Sequence, residues 1–262
     1  MKPKAIILDL DGTLLNSSKK ISLRNLNAIQ AIRQKNIIII FATARPPRVV
    51  QFDDFDLFSF GGVVFYNGAL FRCDVSNQDI HFSITNDLVQ ELIKFCLSLD
   101  PESNISIEVK DQWFSFKSLD YTEMMKVKIN PEIIKLEELL SYDCTKVLIT
   151  DIDYSEQLIG KFNDKLNILV TDGGHLVQIM SNAASKENAV RYLVSSAGVD
   201  MKDVLCFGDD FNDLGLFQSC GYSIAMGNAI KELKEIASET TETNDKDGVA
   251  IILERIVSSF ER

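Results

Sequence analysis

The residues best able to do chemistry begin with two carboxylates, Asp9 and Asp11, in the run Asp9-Leu10-Asp11-Gly12-Thr13. They follow the apolar stretch Ala5-Ile6-Ile7-Leu8, so a buried strand ends where they begin. Alternate residues of an extended chain point to one side, and both acids can face one small volume. Gly12 lets the backbone turn closely around it. Like charges repel strongly when desolvated, which calls for a bound divalent cation or a division into nucleophile and proton carrier. A solvated strand-to-loop turn is the plainer reading, since Asp and Gly are ordinary turn residues.

Three further features share that pattern. The run Ile37 to Ala42 ends at Thr43, which either caps the next helix or lies on the same sheet edge as Asp9. Val204-Leu205-Cys206-Phe207 ends in Gly208-Asp209-Asp210-Phe211-Asn212-Asp213, a second acidic knot. Ser185-Lys186-Glu187 opens a helix carrying Ala189, Val190 and Leu193, stopped by Gly198. Lys186 is either a solvated first-turn residue or one with a task, because a cation there opposes the helix dipole.

Other chemistry has little material. There is no H-x-x-x-H, no G-x-S-x-G and no Walker motif, and the two histidines, His81 and His175, read as polar surface or sheet residues. Five scattered cysteines without a C-x-x-C fit free thiols of a reducing cytoplasm. Acid–base work is left to carboxylates and lysine.

Composition narrows the partners. The 262 residues are 46% hydrophobic and 25% charged, an ordinary globular balance. A net charge of -11 argues against nucleic acid and anionic membranes as partners. The chain shows no targeting signal, and its most apolar window is far too short to span a bilayer.

The elements that must position these residues are set by periodicity. Ser22 caps a helix to about Lys35, and a β-branched strand comes next, giving a βαβ unit. Gly61 to Tyr66 is a third buried strand, and Asn67-Gly68 opens a hairpin of Leu70 to Arg72 against Ile80 to Ser83. From about Ile84 the texture becomes α+β. Thr85 or Asn86 caps a helix, and Ile105 to Val109 pairs with Trp113 to Phe116. Trp113 is expected between sheet and helix. A helical stretch comes after Pro131, and Thr240 to Asp247 reads as loop. The fold class is therefore α/β, a doubly wound, mostly parallel core of residues 1–82 and 183–262. An α+β domain, residues 83–182, is inserted in it.

The ordered set Asp9-x-Asp11-Gly12-Thr13, Thr43, Lys186 and Gly208-Asp209-x-x-Asn212-Asp213 resembles the haloacid dehalogenase-like (HAD) superfamily over essentially the whole chain. The large insertion, Asn67-Gly68-Ala69, Met226-Gly227-Asn228-Ala229 and Thr243-Asn244-Asp245-x-Asp247-Gly248-Val249 are similar to the Cof-type subgroup with a class IIB cap. The resemblance implies a Mg2+-dependent phosphatase of small phosphorylated metabolites, cytoplasmic, a monomer or weak homo-oligomer, whose cap governs substrate selectivity. It implies Asp9 as nucleophile and Asp11 as general acid and base, the latter needing a raised pKa. Asp9, the Asp11 carbonyl and Asp209 would hold the metal, with Asp213 behind them. Thr43, Lys186 and Asn212 would bind phosphate; Arg45, Asn67 and Gly68 are candidates for the substrate side, and Asp210 is supporting or solvated. The second motif commonly reads T-G-R and here is Thr43-Ala44-Arg45. Glu187 stands where Gly is common, and Gln178 where an acid is frequent. Competing readings are a phosphomutase, a non-catalytic phosphometabolite binder, and a receiver-type signalling module, which would be half this length.

Overall fold

The computed structural model describes residues 2–50, 55–73, 78–122, 127 and 129–260. They form two compact units: Met1–Ile80 with Ser185–Arg262, and His81–Ala184.

In the first unit the chain runs β1 (Ala5–Asp9), α1 (Leu23–Arg33), β2 (Ile38–Ala42), β3 (Gly62–Phe65), β4 (Leu70–Cys73) and β5 (Gln78–His81). It returns after the second unit, whose elements are α2 (Asn86–Leu99), β6 (Asn104–Val109), β7 (Gln112–Ser115), β8 (Glu132–Ile133), α3 (Leu136–Leu139), β9 (Lys146–Thr150), α4 (Ser155–Phe162), β10 (Leu166–Thr171) and β11 (Leu176–Ser181). The return comprises α5 (Lys186–Ser196), β12 (Val204–Gly208), α6 (Leu214–Ser219), β13 (Tyr222–Ala225), α7 (Lys231–Ile236), β14 (Glu239–Thr240) and α8 (Gly248–Ser258).

The first unit's sheet has the order β14-β13-β12-β1-β2-β3-β4-β5. Its strands from β14 to β3 are parallel, and β1, β2, β3 and β12 are the near-continuous apolar runs that a parallel sheet covered on both faces carries. Every residue of β1 is buried. The strand order turns back at β1, with β2 on one side and β12 on the other, and ligand crevices form outside the carboxyl ends at such a reversal. Helix α1 begins where the Ser22 hydroxyl accepts the Asn25 N–H at 3.1 Å. Buried Asn25 then ties α1 to α8 by accepting the Ala250 N–H at 2.9 Å.

The Asn67-Gly68 turn does make a hairpin, but between β3 and β4, with Phe65 opposite Leu70. β4 in turn pairs with β5 at the sheet edge, the partner that the sequence offers for Leu70 to Arg72.

The second unit has the strand order β10-β11-β9-β6-β7-β8, antiparallel except for β7 with β8. One face packs on helices, where Val89, Leu92, Ile93, Leu158 and Phe162 meet Ile105, Ile107, Val147, Ile149, Val177 and Ile179. Thr85 is the cap of α2, yet the Asn86 N–H is satisfied by Asp143 Oδ1 at 2.7 Å. After Pro131 the chain first forms β8 and only then α3.

Trp113 does not lie between sheet and helix. It clusters with Tyr121, Leu148 and Leu176, residues that alternate with the helix-packed positions and so belong to the other face. Its ring stacks on Tyr121 with centroids 5.1 Å apart, and its Nε1 donates to Ser106 Oγ at 3.0 Å.

His81 Nε2 hydrogen-bonds Thr145 Oγ1 at 2.8 Å, while His175 is exposed near Asp151. Cys96, Cys144 and Cys206 are buried free thiols and Cys220 is half-buried; the Cys73 side chain lies outside the described part. Residues 239–247 hold β14 and a turn of 3-10 helix at Asn244–Lys246 instead of continuous loop. No described helix is long and apolar enough to cross a membrane.

Candidate active site

At the carboxyl end of β1, Asp9 is buried, and Lys186 Nζ donates to its Oδ1 at 2.5 Å. The same ammonium donates to Asp213 Oδ1 at 2.7 Å. Lys186 is the first residue of α5, capped by the Ser185 hydroxyl, which accepts the Asn188 N–H. Its side chain is 1% exposed, so it has left the solvated first turn for a position between two carboxylates. Carboxylate oxygens of Asp9, Asp209 and Asp213 lie within 4.8 Å of one another.

Asp213 has its oxygens engaged. Besides Lys186 on Oδ1, its Oδ2 accepts the N–H groups of Asp209 and Asp210 at 3.0 and 3.3 Å. It therefore braces the loop after β12 and aims Lys186 at Asp9. Asp209 receives the Thr13 hydroxyl on Oδ1 at 2.9 Å. Asp210 is a local cap, accepting the Phe211 N–H at 2.8 Å.

The electrostatics leave a surplus of negative charge. Burial pushes the Asp9 carboxyl well above the usual range, Lys186 opposes the rise, and Asp213 adds to it. Burial alone would lower the Lys186 amine, but Asp213 and Asp9 outweigh it and keep it cationic. Burial lifts Asp209 to about 6, against the pull of the Thr13 hydroxyl. Three carboxylates around one ammonium, all offering oxygen, form a cluster suited to a hard divalent cation.

Asp11 behaves differently from expectation. Its partial burial would raise its pKa, but hydrogen bonds from Arg45 and Lys19 outweigh that and hold it below the usual value. Arg45 grips it with Nε to Oδ2 and Nη2 to Oδ1, each at 2.6 Å, and Lys19 Nζ reaches Oδ1 at 2.7 Å. The resemblance offers Arg45 as a candidate for the substrate side; in the structure its guanidinium is on Asp11.

Thr43 is buried at the end of β2, and its Oγ1 accepts the Arg45 N–H at 3.1 Å. Its hydroxyl therefore closes a tight turn while keeping a proton to donate. Behind it, Tyr66, Asn67 and Gly68 all adopt left-handed backbone, with φ of 49, 52 and 102°. That costs about 1–3 kcal/mol for a bulky residue such as tyrosine. It is held because Tyr66 N–H donates to the Arg45 carbonyl and Asn67 N–H to the Thr43 carbonyl, at 3.2 and 3.0 Å. A side chain at Gly68 would lie 2.1 Å from the Ser185 carbonyl oxygen, so only glycine lets this loop meet the start of α5. Asn212 Nδ2 donates to Asn67 Oδ1 at 3.0 Å, joining the loop after β12 to the Asn67-Gly68 turn.

Several working residues escaped sequence reasoning. Asn228 Nδ2 donates to the Gly12 carbonyl at 2.7 Å and its Oδ1 accepts the Asn244 N–H. Asn244 Nδ2 reaches the Leu15 carbonyl at 2.8 Å, and Asp245 accepts the Ser17 N–H. These long-range staples had no local signal beyond their place in subgroup-like stretches. Gln178, in β11 of the second unit, donates to Thr171 Oγ1 at 3.2 Å.

Known proteins match this geometry along the full chain. A family model described as haloacid dehalogenase-like hydrolase matches residues 6–253. The putative phosphatase YxeH of Bacillus subtilis is 30% identical over 97% of this chain and 98% of its own length. The 5-amino-6-(5-phospho-D-ribitylamino)uracil phosphatase YitU of the same organism is 29% identical, covering 98% of each chain. A Thermotoga maritima crystal structure superposes with TM-score 0.85 at 25% identity, covering 97% of both chains. With its aspartate cluster, parallel core and full-length relatives, the chain belongs to the haloacid dehalogenase-like hydrolase family, as a phosphatase of the Cof type.

Proposed function

We propose that the chain is a Mg2+-dependent phosphatase hydrolysing small phosphomonoesters, sugar phosphates foremost, through an aspartyl-phosphate at Asp9. The observation that carries this reading is the buried Asp9 carboxylate, held at 2.5 Å by Lys186 beside Asp209 and Asp213. Asp9 attacks phosphorus while the ester oxygen departs, taking a proton from Asp11. Water then attacks the aspartyl-phosphate and gives its proton to Asp11, inorganic phosphate leaves, and Asp9 is restored. The Thr43 hydroxyl, the Lys186 ammonium and the Asn212 amide bind the phosphoryl oxygens, where negative charge spreads in the transition state. Asp9, the Asp11 carbonyl and Asp209 are the residues to hold the metal, with Asp213 fixing the group from behind. Mg2+ bound there supplies charge neutralisation and polarises a phosphoryl oxygen.

Choice among esters is assigned to the inserted residues 83–182. A screen of phosphorylated metabolites with Mg2+, scored by phosphate release, tests the class. It should include the ribitylaminouracil phosphate ester named for the YitU relative. Asp9→Asn is expected to abolish both phosphate release and phosphoenzyme trapped by acid quench. Wild-type turnover in that variant would remove Asp9 as nucleophile, and isomer interconversion without phosphate release would favour a mutase.

A further inference from the structure

We propose that Arg45 is a positioning residue for proton transfer: it fixes the Asp11 carboxylate so that one lone pair, on Oδ2, is left for the travelling proton. The inference rests on the phosphatase reading above and concerns how its proton carrier is held.

The geometry is specific. Arg45 contributes two parallel hydrogen bonds, Nε to Oδ2 and Nη2 to Oδ1, both 2.6 Å. A fork of this kind fixes the carboxylate plane as well as its place. Lys19 adds a second donor to Oδ1 only, at 2.7 Å. A carboxylate oxygen offers two in-plane lone pairs. Among the described residues, Oδ1 is thus saturated by two cationic donors while Oδ2 has one. The two oxygens of Asp11, equivalent in a free side chain, have become different.

Arg45 is itself anchored at both ends of its peptide unit. Its N–H donates to Thr43 Oγ1 at 3.1 Å, and its carbonyl accepts the N–H of left-handed Tyr66 at 3.2 Å. Its side chain is 21% exposed. Lys19 sits on a tight turn, φ 58°, whose Asn16 accepts the Ser18 and Lys20 N–H groups. Nor is Asp11 one of the carboxylates that converge on Lys186. The fork therefore sets the distance and the angle between proton carrier and nucleophile, a job no backbone constraint on a freely rotating aspartate can do.

The consequence is a dependence on leaving group. An alkoxide needs Asp11's proton as the P–O bond breaks; 4-nitrophenolate leaves without one. Water attack on the aspartyl-phosphate needs Asp11 whatever group has left. The experiment compares wild type, Arg45→Met and Arg45→Lys on 4-nitrophenyl phosphate and on the fastest sugar phosphate of a substrate screen. Rapid-quench measurement separates first-turnover leaving-group release from phosphoenzyme hydrolysis.

For Arg45→Met the expected result is sugar release and phosphoenzyme hydrolysis slowed by about 10- to 100-fold, within the range of general acid–base contributions. First-turnover nitrophenolate release and KM should stay within about threefold. Arg45→Lys, which keeps the charge but not the fork, should recover only part of the loss. Equal loss on both esters in the first turnover, or a rise in KM alone, would overturn the proposal, as would full rescue by Lys. Circular dichroism and thermal midpoints show whether each variant is folded; if Arg45→Met does not fold, Arg45→Lys alone decides by the same split. A wild-type enzyme that releases phosphate from these esters but forms no phosphoenzyme defeats the aspartyl-phosphate reading on which the inference rests, an outcome visible before any variant is made.

Discussion

Lys186 and Asp213 meet at 2.7 Å with neither side chain reaching water. Asp9 completes the triplet on the other side of the ammonium. Removing the cation leaves two buried carboxylates facing one another, and breaking a buried pair typically costs about 3–5 kcal/mol. Lys186→Met should therefore lower the thermal midpoint of the metal-free protein by roughly 6–20 °C, at a few degrees per kcal/mol for a chain of this size. The deficit should shrink at pH 5, where the stranded carboxylates take up protons. Calorimetry at pH 5 and 7.5 checks both the size and the sign.

Asp209 ties metal affinity to pH. Its folded pKa of about 6 lies above the ordinary aspartate value, because burial disfavours the charged form. A raised carboxyl pKa means the folded state binds more protons than the unfolded one across that interval. Its contribution to metal-free stability is present at low pH and lost as pH rises through about 6. A divalent cation requires the deprotonated form, so stabilisation by millimolar Mg2+ should be small at pH 5 and large at pH 7.5. Thermal shift with and without Mg2+ across that interval reads the crossover.

Gly12 lies against that carboxylate. A Cβ built on it would lie 2.0 Å from Asp209 Oδ2, and its φ of 80° disfavours any side chain. Gly12→Ala should cost about 1–3 kcal/mol of stability through the backbone. It should also abolish the Mg2+-dependent thermal shift, since the carboxylate must move. A variant that keeps the full Mg2+ response would show that Asp209 tolerates displacement.

Asn67 separates backbone from side-chain effects. Its left-handed conformation is tolerated by Gly but strained in Ala, while either substitution removes the amide bonded to Asn212. Asn67→Gly is expected to hold the wild-type thermal midpoint within about a degree, and Asn67→Ala to lose about 1–2 kcal/mol. Both should raise KM for the phosphoester if the bond to Asn212 aims that amide. Steady-state kinetics on the two variants checks the shared effect.

Legibility in the sequence tracked the range of the interaction. The buried runs that became β1, β2, β3 and β12 announced themselves by near-continuous apolar residues, and the polar ends of β1, β2 and β12 named Asp9, Thr43 and Asp209. Lys186 was legible because a cation there opposes the helix dipole. Trp113 was misplaced because a side chain's face in a sheet depends on register, and one position decides which side it occupies. The pairing of Leu70 to Arg72 with the strand through Ile80 was legible, and what stayed hidden was that Asn67-Gly68 itself joins β3 to β4. The Thr13–Asp209 and Asn228–Gly12 bonds join residues some two hundred positions apart and leave no periodic trace. The Arg45 fork on Asp11 inverted an expected pKa direction for the same reason.

The staples from Asn228, Asn244 and Asp245 to residues 12–17 put the loop after Asp9 under the control of the chain's last part. During synthesis, domains fold as units from the N-terminus onward. The strand bearing Asp9 is made first, yet Lys186, Asp209 and the loop's own braces are made last. A nascent chain thus carries Asp9 through most of translation without the side chains that surround it in the folded protein. Truncation before Asn244 would leave Asp9, Asp11, Asp209 and Asp213 in place and take away the Asn244 and Asp245 braces, so a clipped protein keeps its four site acids on a loosened loop.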